Sequence, residues 1–339
     1  MASLLVYAGL DYHEDSIRVC VVDKNGEVLV NRDVDNDVES VRRWIGRCGI
    51  PQGIAIEACC GASEFADRLQ GRTGWPTRLA HPGYVKRLKQ GPDKTDHHDA
   101  WLLADLVRVG YLPEVWLADP TTRQLRRLVR YRQGLVADRK NIKLRIRALL
   151  REERLACRHA RPWTKAWTHW LSTAALGEQS RWILDQERMR LERIDQDIRA
   201  VEQRLEQVTA SDETTQRLRA QRGIGLITAV TLRAEVGRFE RFRSGKQLSR
   251  FCGTTPCNAS SGRREADAGL VKAGNSALRA VIIQAAQRLV RQDPRWKELK
   301  DRLRRSKPAN VATAAVANRW LRWLYYQMTT VRKPELAAV

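Results

Sequence analysis

Residues 4–34, LLVYAGLDYHEDSIRVCVVDKNGEVLVNRDV, contain three stretches rich in β-branched and apolar residues. The DKNG segment between the second and third stretches is typical of a hairpin turn, because Asn-Gly adopts the positive φ angles that tight hairpins need. The pattern predicts a three-stranded meander. Asp11 ends the first apolar run, so we expect it at the end of a buried strand, at the edge of a sheet.

The segments that follow alternate between helical and extended patterns. VESVRRWIGRCG predicts a helix, GIAIEACCG a fourth strand with Glu57 near its end, and ASEFADRLQGR a second helix. PTRLAHP is compatible with a fifth strand. The segment from about Pro92 to Val109 predicts a helix that carries Asp96 and Asp99 and offers leucines to the core.

Four carboxylates are the candidate catalytic residues of this domain: Asp11, Glu57, Asp96 and Asp99. The last two are three residues apart and share one helix face. Clustered carboxylates repel one another unless cations neutralise them, and all-oxygen ligands suit Mg²⁺ or Mn²⁺ rather than zinc. A pair of such ions can stabilise both oxygens of a phosphodiester displacement. The layout resembles the α/β ribonuclease-H-like fold in its resolvase (RuvC-like) variant.

Two other interpretations fit parts of this pattern. Any single acid is more often a solvated surface or capping residue, and only the joint placement favours catalysis. Sugar kinases and actin-like proteins also open with an apolar strand, an acid and a hairpin. They follow the acid with a glycine-rich phosphate turn, whereas Asp11 is followed by Tyr12, His13 and Glu14, so a kinase is the weaker hypothesis.

The distribution of charge separates the chain into two parts. The whole sequence holds 61 Lys and Arg and 39 Asp and Glu, a formal net charge of +22. Residues 1–112 carry 14 basic and 16 acidic residues, and the other 227 residues carry 47 and 23. This excess favours nucleic acid as partner, with an affinity that falls steeply as salt rises. We expect an acidic catalytic module joined to a basic module that grips the backbone.

The segment from Arg123 to Arg151 predicts a long basic helix with eleven basic residues and one acid, Asp138. A second helix, from Leu184 to Val208, shows a heptad pattern, and the two predict an antiparallel or intermolecular coiled coil. Because cations with few local partners repel one another, we expect a polyanion along the first helix. The candidate nucleic-acid contacts are Arg123, Arg126, Arg127, Arg130, Arg139, Lys140, Lys143 and Arg147.

A scaffold that spaces two domains and joins protomers is the simpler interpretation of this middle region. Between the two helices, RPWTKAWTHWL places Trp163, Trp167 and Trp170 at helical spacing. Packing against a core is the more frequent role of such a stripe, and stacking on bases is the rarer one.

The segment RLRAQRGIGLITAVTLRAEVG predicts a helix, a tight turn at Gly223 and Gly225, and another helix. This resembles a helix-hairpin-helix element, in which glycines let backbone N–H groups approach a phosphate. A plain turn between two helices is the alternative. A Gly-, Pro- and Ser-rich loop from Gly253 to Gly262 follows, and an amphipathic helix begins near Ser276.

Membrane insertion and secretion are not indicated by the sequence. No apolar run approaches the roughly 20 residues of a membrane span, and MASLLVYAGLDY lacks the features of a signal peptide. Seven cysteines without a CxxC pair indicate reduced thiols and no zinc site. We expect a cytoplasmic protein of two or three domains, since 339 residues with 43% hydrophobic content can form real cores.

Six motifs occur in an order found in one known family. GLDYHEDS, AIEACCG and KTDHHDA are followed by GIGLITA, FCGTTPCNASSGRREADAGLVKAGNSALR and KPANVATAAVANRWLRWLYY. The first three resemble the amino-terminal DEDD domain of the insertion-sequence 110 transposases, and the last three resemble their carboxy-terminal transposase domain. The resemblance covers about residues 5–328.

The resemblance implies an RNA-guided, site-specific DNA recombinase that moves its own element through a circular intermediate. It implies a homodimer or tetramer in which the DEDD domain of one protomer and the transposase domain of another share an active site. The family's serine forms a covalent phosphoserine with DNA, which implies Ser260 here, with Ser261 as the alternative. Arg263, Arg264 and Lys272 are further candidate nucleic-acid contacts.

The predicted organisation is a RuvC-like DEDD domain over residues 1–120, a basic helical coiled-coil region over 121–213 and a mostly α-helical transposase domain over 214–339. Its cofactor is Mg²⁺ or Mn²⁺, its partners are DNA and an element-encoded guide RNA, and it acts at the nucleoid. Two alternatives remain: a junction-resolving endonuclease that uses metal-activated water, and a non-enzymatic nucleic-acid-binding scaffold. The guide RNA rests on the resemblance alone, because a basic helix does not distinguish RNA from DNA.

Overall fold

The computed structural model describes residues 4–88, 96–258, 267–272 and 274–330. The chain divides into a sheet-containing unit, residues 1–119, and a mainly helical unit, residues 120–339. Of the predicted domain boundaries, the one at residues 213 and 214 falls inside the second unit and stays a prediction.

The first unit is built on a six-stranded sheet with the order β3-β2-β1-β4-β5-β6. Its strands are β1 (Leu5–Tyr12), β2 (Ser16–Asp23), β3 (Val28–Asp35), β4 (Ile50–Glu57), β5 (Thr77–Ala80) and β6 (Glu114–Val115). The first three form the predicted antiparallel meander, and β4 and β5 continue the sheet in parallel from β1. The antiparallel edge strand β6 was not predicted, because two residues are too short for a periodic pattern.

Helices cover both faces of this sheet. They are α1 (Val38–Cys48), α2 (Ala62–Thr73), α3 (Pro82–Leu88) and α4 (Asp96–Arg108). Val6, Ala8 and Leu10 of β1 pack into the core that includes α1 and α2, whereas α4 covers the other face. The helix expected from about Pro92 begins at Asp96 in the described part of the chain, and residues 89–95 lie outside it.

The second unit begins with two long helices that pair antiparallel. Its described helices are α5 (Pro120–Glu152), α6 (Lys165–Thr173), α7 (Glu178–Val208), α8 (Glu213–Arg219), α9 (Leu226–Val236), α10 (Gly245–Phe251), α11 (Ser276–Gln292), α12 (Pro294–Arg304) and α13 (Ala309–Thr329). Leu125 near the start of α5 packs with Leu205 near the end of α7, and Leu150 packs with Leu184 at the opposite ends. The antiparallel pairing lies within one chain; a coiled-coil supercoil stays a prediction.

Helices α8 to α13 share one large core around the fully buried Trp320. A short antiparallel hairpin of β7 (Pro256–Asn258) and β8 (Asp267–Leu270) lies between α10 and α11. The amphipathic helix expected near Ser276 is confirmed, and the Asn275 side chain caps it by accepting from the backbone N–H groups of Ala277 and Leu278. Among the helices that the structure describes, none has the length and apolar character of a membrane span.

Candidate active site and nucleic-acid surface

Asp11 and Glu57 lie at the ends of two neighbouring parallel strands. Asp11 is the penultimate residue of β1, and Glu57 is the last residue of β4. The register pairs Leu10 with Ile56, so the two acids that follow fall at the same level. Because side chains alternate along a strand and Leu10 and Ile56 face the core with α1 and α2, Asp11 and Glu57 belong to the opposite face.

Glycines allow α4 to approach that opposite face closely. A Cβ atom at Gly9 would lie 2.0 Å from the backbone oxygen of Ala100 and 2.4 Å from the backbone nitrogen of Ala104. A Cβ atom at Gly53 of β4 would lie 2.8 Å from Cγ2 of Val107. The packing of α4 against β1 therefore requires glycine at position 9, because any side chain there would collide with the helix backbone.

Asp99 lies on the sheet-facing side of α4 and is 4% exposed. Its neighbours Ala100 and Leu103 pack into the cores beneath the helix. Asp96 begins the same helix one turn earlier, and its side chain lies outside the described residues. The structure thus brings Asp11, Glu57 and Asp99 to one side of the sheet.

His13 and Cys59 border this acidic region. The Nε2 atom of His13 lies 3.3 Å from Oδ2 of Asp11, whose side chain is 15% exposed. Although Cys59 as a residue is exposed, partial burial raises the pKa of its thiol, and the charges of Glu57 and Asp11 raise that pKa further.

The oxygen donors at this end of the sheet suit a hard divalent cation. Within the described residues, no three His, Cys, Asp or Glu side chains form a group able to hold a metal ion. The side chain of Asp96, the fourth predicted ligand, is not among those residues. The donor chemistry therefore fits Mg²⁺ or Mn²⁺, while the described side chains alone do not form a complete ligand set.

The predicted nucleophile belongs to a segment that the structure does not describe. Residues 259–266 lie outside the described ranges. They include four of the candidate residues, Ser260, Ser261, Arg263 and Arg264.

The segments on either side of these serines are anchored to helices of the second unit. The Asn318 side chain of α13 donates to the Thr254 carbonyl at 3.2 Å. The Arg279 guanidinium of α11 donates to the Val271 carbonyl at 3.1 Å. Lys272 follows directly and is exposed.

Several arginines of α5 are paired with acids of the same unit. Arg130 donates two hydrogen bonds of 2.9 and 3.0 Å to Glu235 of α9, and Arg126 lies 3.7 Å from the same carboxylate. Arg139 contacts Asp195 of α7 at 3.0 Å. The expectation of few local partners is therefore wrong for these three candidates, because the fold brings distant acids to them.

Two further arginines of α5 contact acids of α7. Arg132 lies 2.6 Å from Glu202, and Arg145 donates hydrogen bonds of 3.0 and 2.8 Å to Glu187. The hydrogen bonds from Arg145 lower the pKa of Glu187, which is 7% exposed. The acids recur about every two turns of α7, in reverse order to the arginines of α5. This complementary spacing is visible in the sequence and was missed.

Lys140, Lys143 and Arg147 form a basic stripe along another side of α5. Their spacing of three and four residues places them on one helix face, where they line a shallow groove with Trp163. In the described part of the chain, none of the three lies within 4 Å of a carboxylate oxygen. The Nζ atom of Lys143 lies 4.9 Å from the centre of a Trp163 ring.

The tryptophans between the long helices follow the packing interpretation. Trp167 of α6 is 3% exposed within the core formed with α5 and α7, and Trp163 and Trp170 pack against it. Trp163 precedes α6 and has a φ angle of 70°, so the expected helical spacing does not extend to it.

The remaining candidates lie elsewhere in the second unit. Gly223 has a φ angle of 76°, and a Cβ atom there would lie 3.0 Å from Cδ2 of Leu289. Gly225 directly precedes α9, so the predicted helix, turn and helix are confirmed. Arg123 and Arg127 lie near the start of α5, where Arg127 is exposed.

Two family models match the chain. The model of the IS110 DEDD transposase domain, described as "Transposase", matches residues 8–154 and so spans the acid-bearing sheet. The model described as "Transposase IS116/IS110/IS902 family" matches residues 215–301, in the second unit. The acids and about half of the helical unit thus fall within domains of one class of protein, the DEDD transposases.

Similar proteins extend over most of the chain. It is 30% identical over 288 residues to the "Transposase for insertion sequence element IS1111A" of Coxiella burnetii, covering 84% of this chain and 77% of that protein. It is 29% identical over 342 residues to a "Probable family 20 transposase" of Pseudomonas aeruginosa, covering 96% and 98%. It is 26% identical over 336 residues to the "Transposase for insertion sequence element IS1328" of Yersinia enterocolitica, covering 95% and 97%. The chain belongs to the IS110 family of transposases.

Proposed function

We propose that this transposase is a site-specific DNA recombinase whose acid site comprises Asp11, Glu57, Asp96 and Asp99. One observation carries the proposal: Asp11 and Glu57 lie at one level on adjoining strands, on the face covered by the helix that bears the buried Asp99. Acids that a fold brings to one side of a sheet are found mainly at functional sites, where a cation can offset their repulsion.

The strand order supports a ribonuclease-H-like first unit in its resolvase variant. An antiparallel meander is followed by two parallel strands, and the two acid-bearing strands are neighbours in the middle of the sheet. Fold analogy alone would be weak support for a function. Here strand order, acid placement and family membership agree.

The four carboxylates would hold Mg²⁺ or Mn²⁺. Bound there, the ions would neutralise the phosphate and stabilise the attacking and leaving oxygens. The chain's own contribution is to fix the acids: β-ladder pairing fixes Asp11 and Glu57, and the packing of α4 on Gly9 fixes Asp99. Sites on regular elements hold their geometry better than sites on loops.

In this proposal the nucleophile is Ser260, with Ser261 as the alternative. The serine Oγ–P bond forms as the phosphodiester P–O bond breaks, and the serine proton ends on the leaving sugar oxygen. A sugar hydroxyl of another strand then attacks the phosphoserine, restores a phosphodiester and returns a proton to the serine. The covalent link conserves the energy of the broken bond, so exchange requires neither ATP nor a ligase.

The second unit would bind the nucleic acid. The basic stripe is its strongest candidate surface, because the charges of Lys140, Lys143 and Arg147 are not matched by acids in the described structure. The paired Arg126, Arg130 and Arg139 would mainly hold the helices together. An element-encoded guide RNA, a dimeric or tetrameric assembly and action at the bacterial nucleoid complete the proposal, on the strength of the family resemblance.

The proposed function is tested by an assay for a covalent protein–DNA adduct. Full-length protein with its copurified RNA is incubated with Mg²⁺ and a target duplex, and a protease-sensitive adduct is measured. We expect the adduct in wild type and in Asp15→Asn, a matched control at an exposed acid. Ser260→Ala should abolish the adduct, and Asp11→Asn should abolish cleavage.

Other outcomes distinguish the alternatives. Loss of the adduct in Ser261→Ala but not in Ser260→Ala would move the nucleophile by one residue. Cleavage without an adduct would indicate a junction-resolving endonuclease, and binding without cleavage would indicate a scaffold. Full activity in Asp11→Asn would contradict the acid site, and random cellular fragments in the copurified RNA would contradict a guide.

A further inference from the structure

Three arginines of the last two helices converge on one pocket that is separate from the basic stripe. Arg295 and Arg302 of α12 line it together with Arg319 of α13, and Trp296 forms part of its wall. Arg295 and Arg302 are seven residues apart and so lie on one helix face, about 10 Å apart along the axis. We call this set the arginine pocket.

The three arginines of the arginine pocket form no ion pairs in the described part of the chain. In the described ranges, none of the three guanidinium groups lies within 4 Å of a carboxylate oxygen. The pocket also includes one acid, Glu298, which forms no ion pair within that distance. This contrasts with the paired arginines of α5, which hold helices together through Glu235 and acids of α7.

The pocket is held in shape by the fold. The Asp293 side chain accepts a hydrogen bond from the backbone N–H of Arg295 at 2.9 Å and caps α12, which has Pro294 in its first turn. Trp296 is 4% exposed and packs edge-on against Trp323 of α13. The two helices that carry the arginines are thus fixed to each other before any ligand binds.

We propose that the arginine pocket binds the phosphate backbone of double-stranded DNA, an inference that rests on the proposed function. Guanidinium groups recognise phosphate oxygens through paired hydrogen bonds. The Arg295 guanidinium lies 4.8 Å from the centre of the Trp296 ring and covers it, so the buried indole has no open face for a base. A site with cations but no exposed stacking surface suits a duplex, whose bases are stacked inside.

The test compares the salt dependence of DNA binding in matched variants of the full chain. Arg302→Gln/Arg319→Gln removes two pocket charges and spares Arg295, which packs on tryptophan. The control, Arg188→Gln/Arg193→Gln, replaces two arginines of α7 that are paired with nearby acids. The two double variants therefore have the same net charge. Affinity for a labelled duplex is measured over a range of NaCl concentrations, and circular dichroism checks the fold.

We expect the magnitude of the negative slope of log K against log salt to decrease by about 2 in the pocket variant, since each phosphate contact contributes about 0.9. The control variant should keep the wild-type slope. An unchanged slope in the pocket variant, or an equal decrease in the control, would overturn the inference while leaving the proposed function intact. A decrease seen with single-stranded RNA and not with the duplex would replace DNA by RNA as the ligand. A wild-type chain that bound no DNA would overturn both proposals.

Discussion

The two units of the chain place charged side chains in opposite ways. The sheet unit gathers acids on one face by bringing helix α4 onto glycines of the sheet. The helical unit pairs five arginines of α5 with acids, and leaves the basic stripe and the arginine pocket without carboxylate partners in the described structure. The number of charges in a segment therefore does not mark a binding surface; the charges that the fold leaves unmatched do.

The close approach at Gly9 should have the largest effect on stability. In Gly9→Ala the new methyl group would meet the backbone of α4, and we expect a loss of at least about 3 kcal/mol in the free energy of unfolding. The matched control is Gly71→Ala in α2, where no atom lies within 4 Å of the new Cβ. Alanine should stabilise that helix by about 0.5–1 kcal/mol. Equal denaturation midpoints for the two variants would contradict the packing described.

The pairing of α5 with α9 should show the next largest effect. Glu235 is 5% exposed and accepts from Arg130, so Glu235→Gln removes the carboxylate charge that Arg130 and Arg126 contact. We expect a cost of about 2–3 kcal/mol, less than for a fully buried pair because Arg130 is half exposed. Glu240→Gln, at an exposed acid, should change stability by less than about 0.5 kcal/mol. Urea denaturation measures the free energy of unfolding of the two variants. A similarly small change in both would contradict the structural role of Glu235.

Substitutions in the basic stripe should weaken DNA binding and leave stability almost unchanged, whereas substitutions at ion-paired residues should do the reverse. In Lys140→Gln/Lys143→Gln/Arg147→Gln, the magnitude of the negative slope of log K for DNA against log salt should fall by roughly 3. The free energy of unfolding should change little. Arg132→Gln should keep the slope and lower stability by about 1 kcal/mol, because it breaks a partly buried ion pair. Salt titrations of DNA binding and thermal melts of both variants check this. A stripe variant with the wild-type slope would remove these residues from the binding surface.

The smallest expected effect is the loss, at acid pH, of the stability contributed by the ion pair between Arg145 and Glu187. Hydrogen bonds from Arg145 hold the pKa of Glu187 below the ordinary glutamate value of about 4.3. A carboxylate with a lowered folded-state pKa stabilises the fold above its unfolded pKa, and this stability is lost as the pH falls through the folded value. The difference in melting temperature between wild type and Glu187→Gln should therefore be largest near pH 7 and shrink below about pH 4. A difference that stayed constant across this range would contradict the ion pair.

The strands and helices of the first unit were predictable because their apolar periodicity is local. The alternation in β1 and β4 was enough to predict that Asp11 and Glu57 lie at or next to the ends of strands, and their neighbouring positions follow from the parallel pairing observed. The approach of α4 at Gly9 was not predictable, because it depends on a helix some 90 residues further along the chain. The periodic pattern predicts which residues a segment buries, but not against which segment.

The roles of the basic residues were harder to predict from the sequence. Arg126 and Arg130 were candidates for nucleic-acid binding because few acids lie near them in sequence, whereas Glu235, more than 100 residues away, contacts both. The arginine pocket was missed for the same reason: its charges come from two helices and meet only in the fold. The roles of Ser260 and Ser261 rest on the family motif, since these residues lie outside the described ranges.

If acids on one side of the sheet hold a divalent cation, the protein binds Mn²⁺ through them in the absence of nucleic acid. Electron paramagnetic resonance would measure free and bound Mn²⁺ in wild type, Asp11→Asn, Glu57→Gln and the exposed control Asp15→Asn, without any DNA. We expect saturable binding in wild type and in Asp15→Asn, and loss of that binding in Asp11→Asn and Glu57→Gln with the fold retained by circular dichroism. Equal Mn²⁺ binding by all four proteins would contradict this expectation.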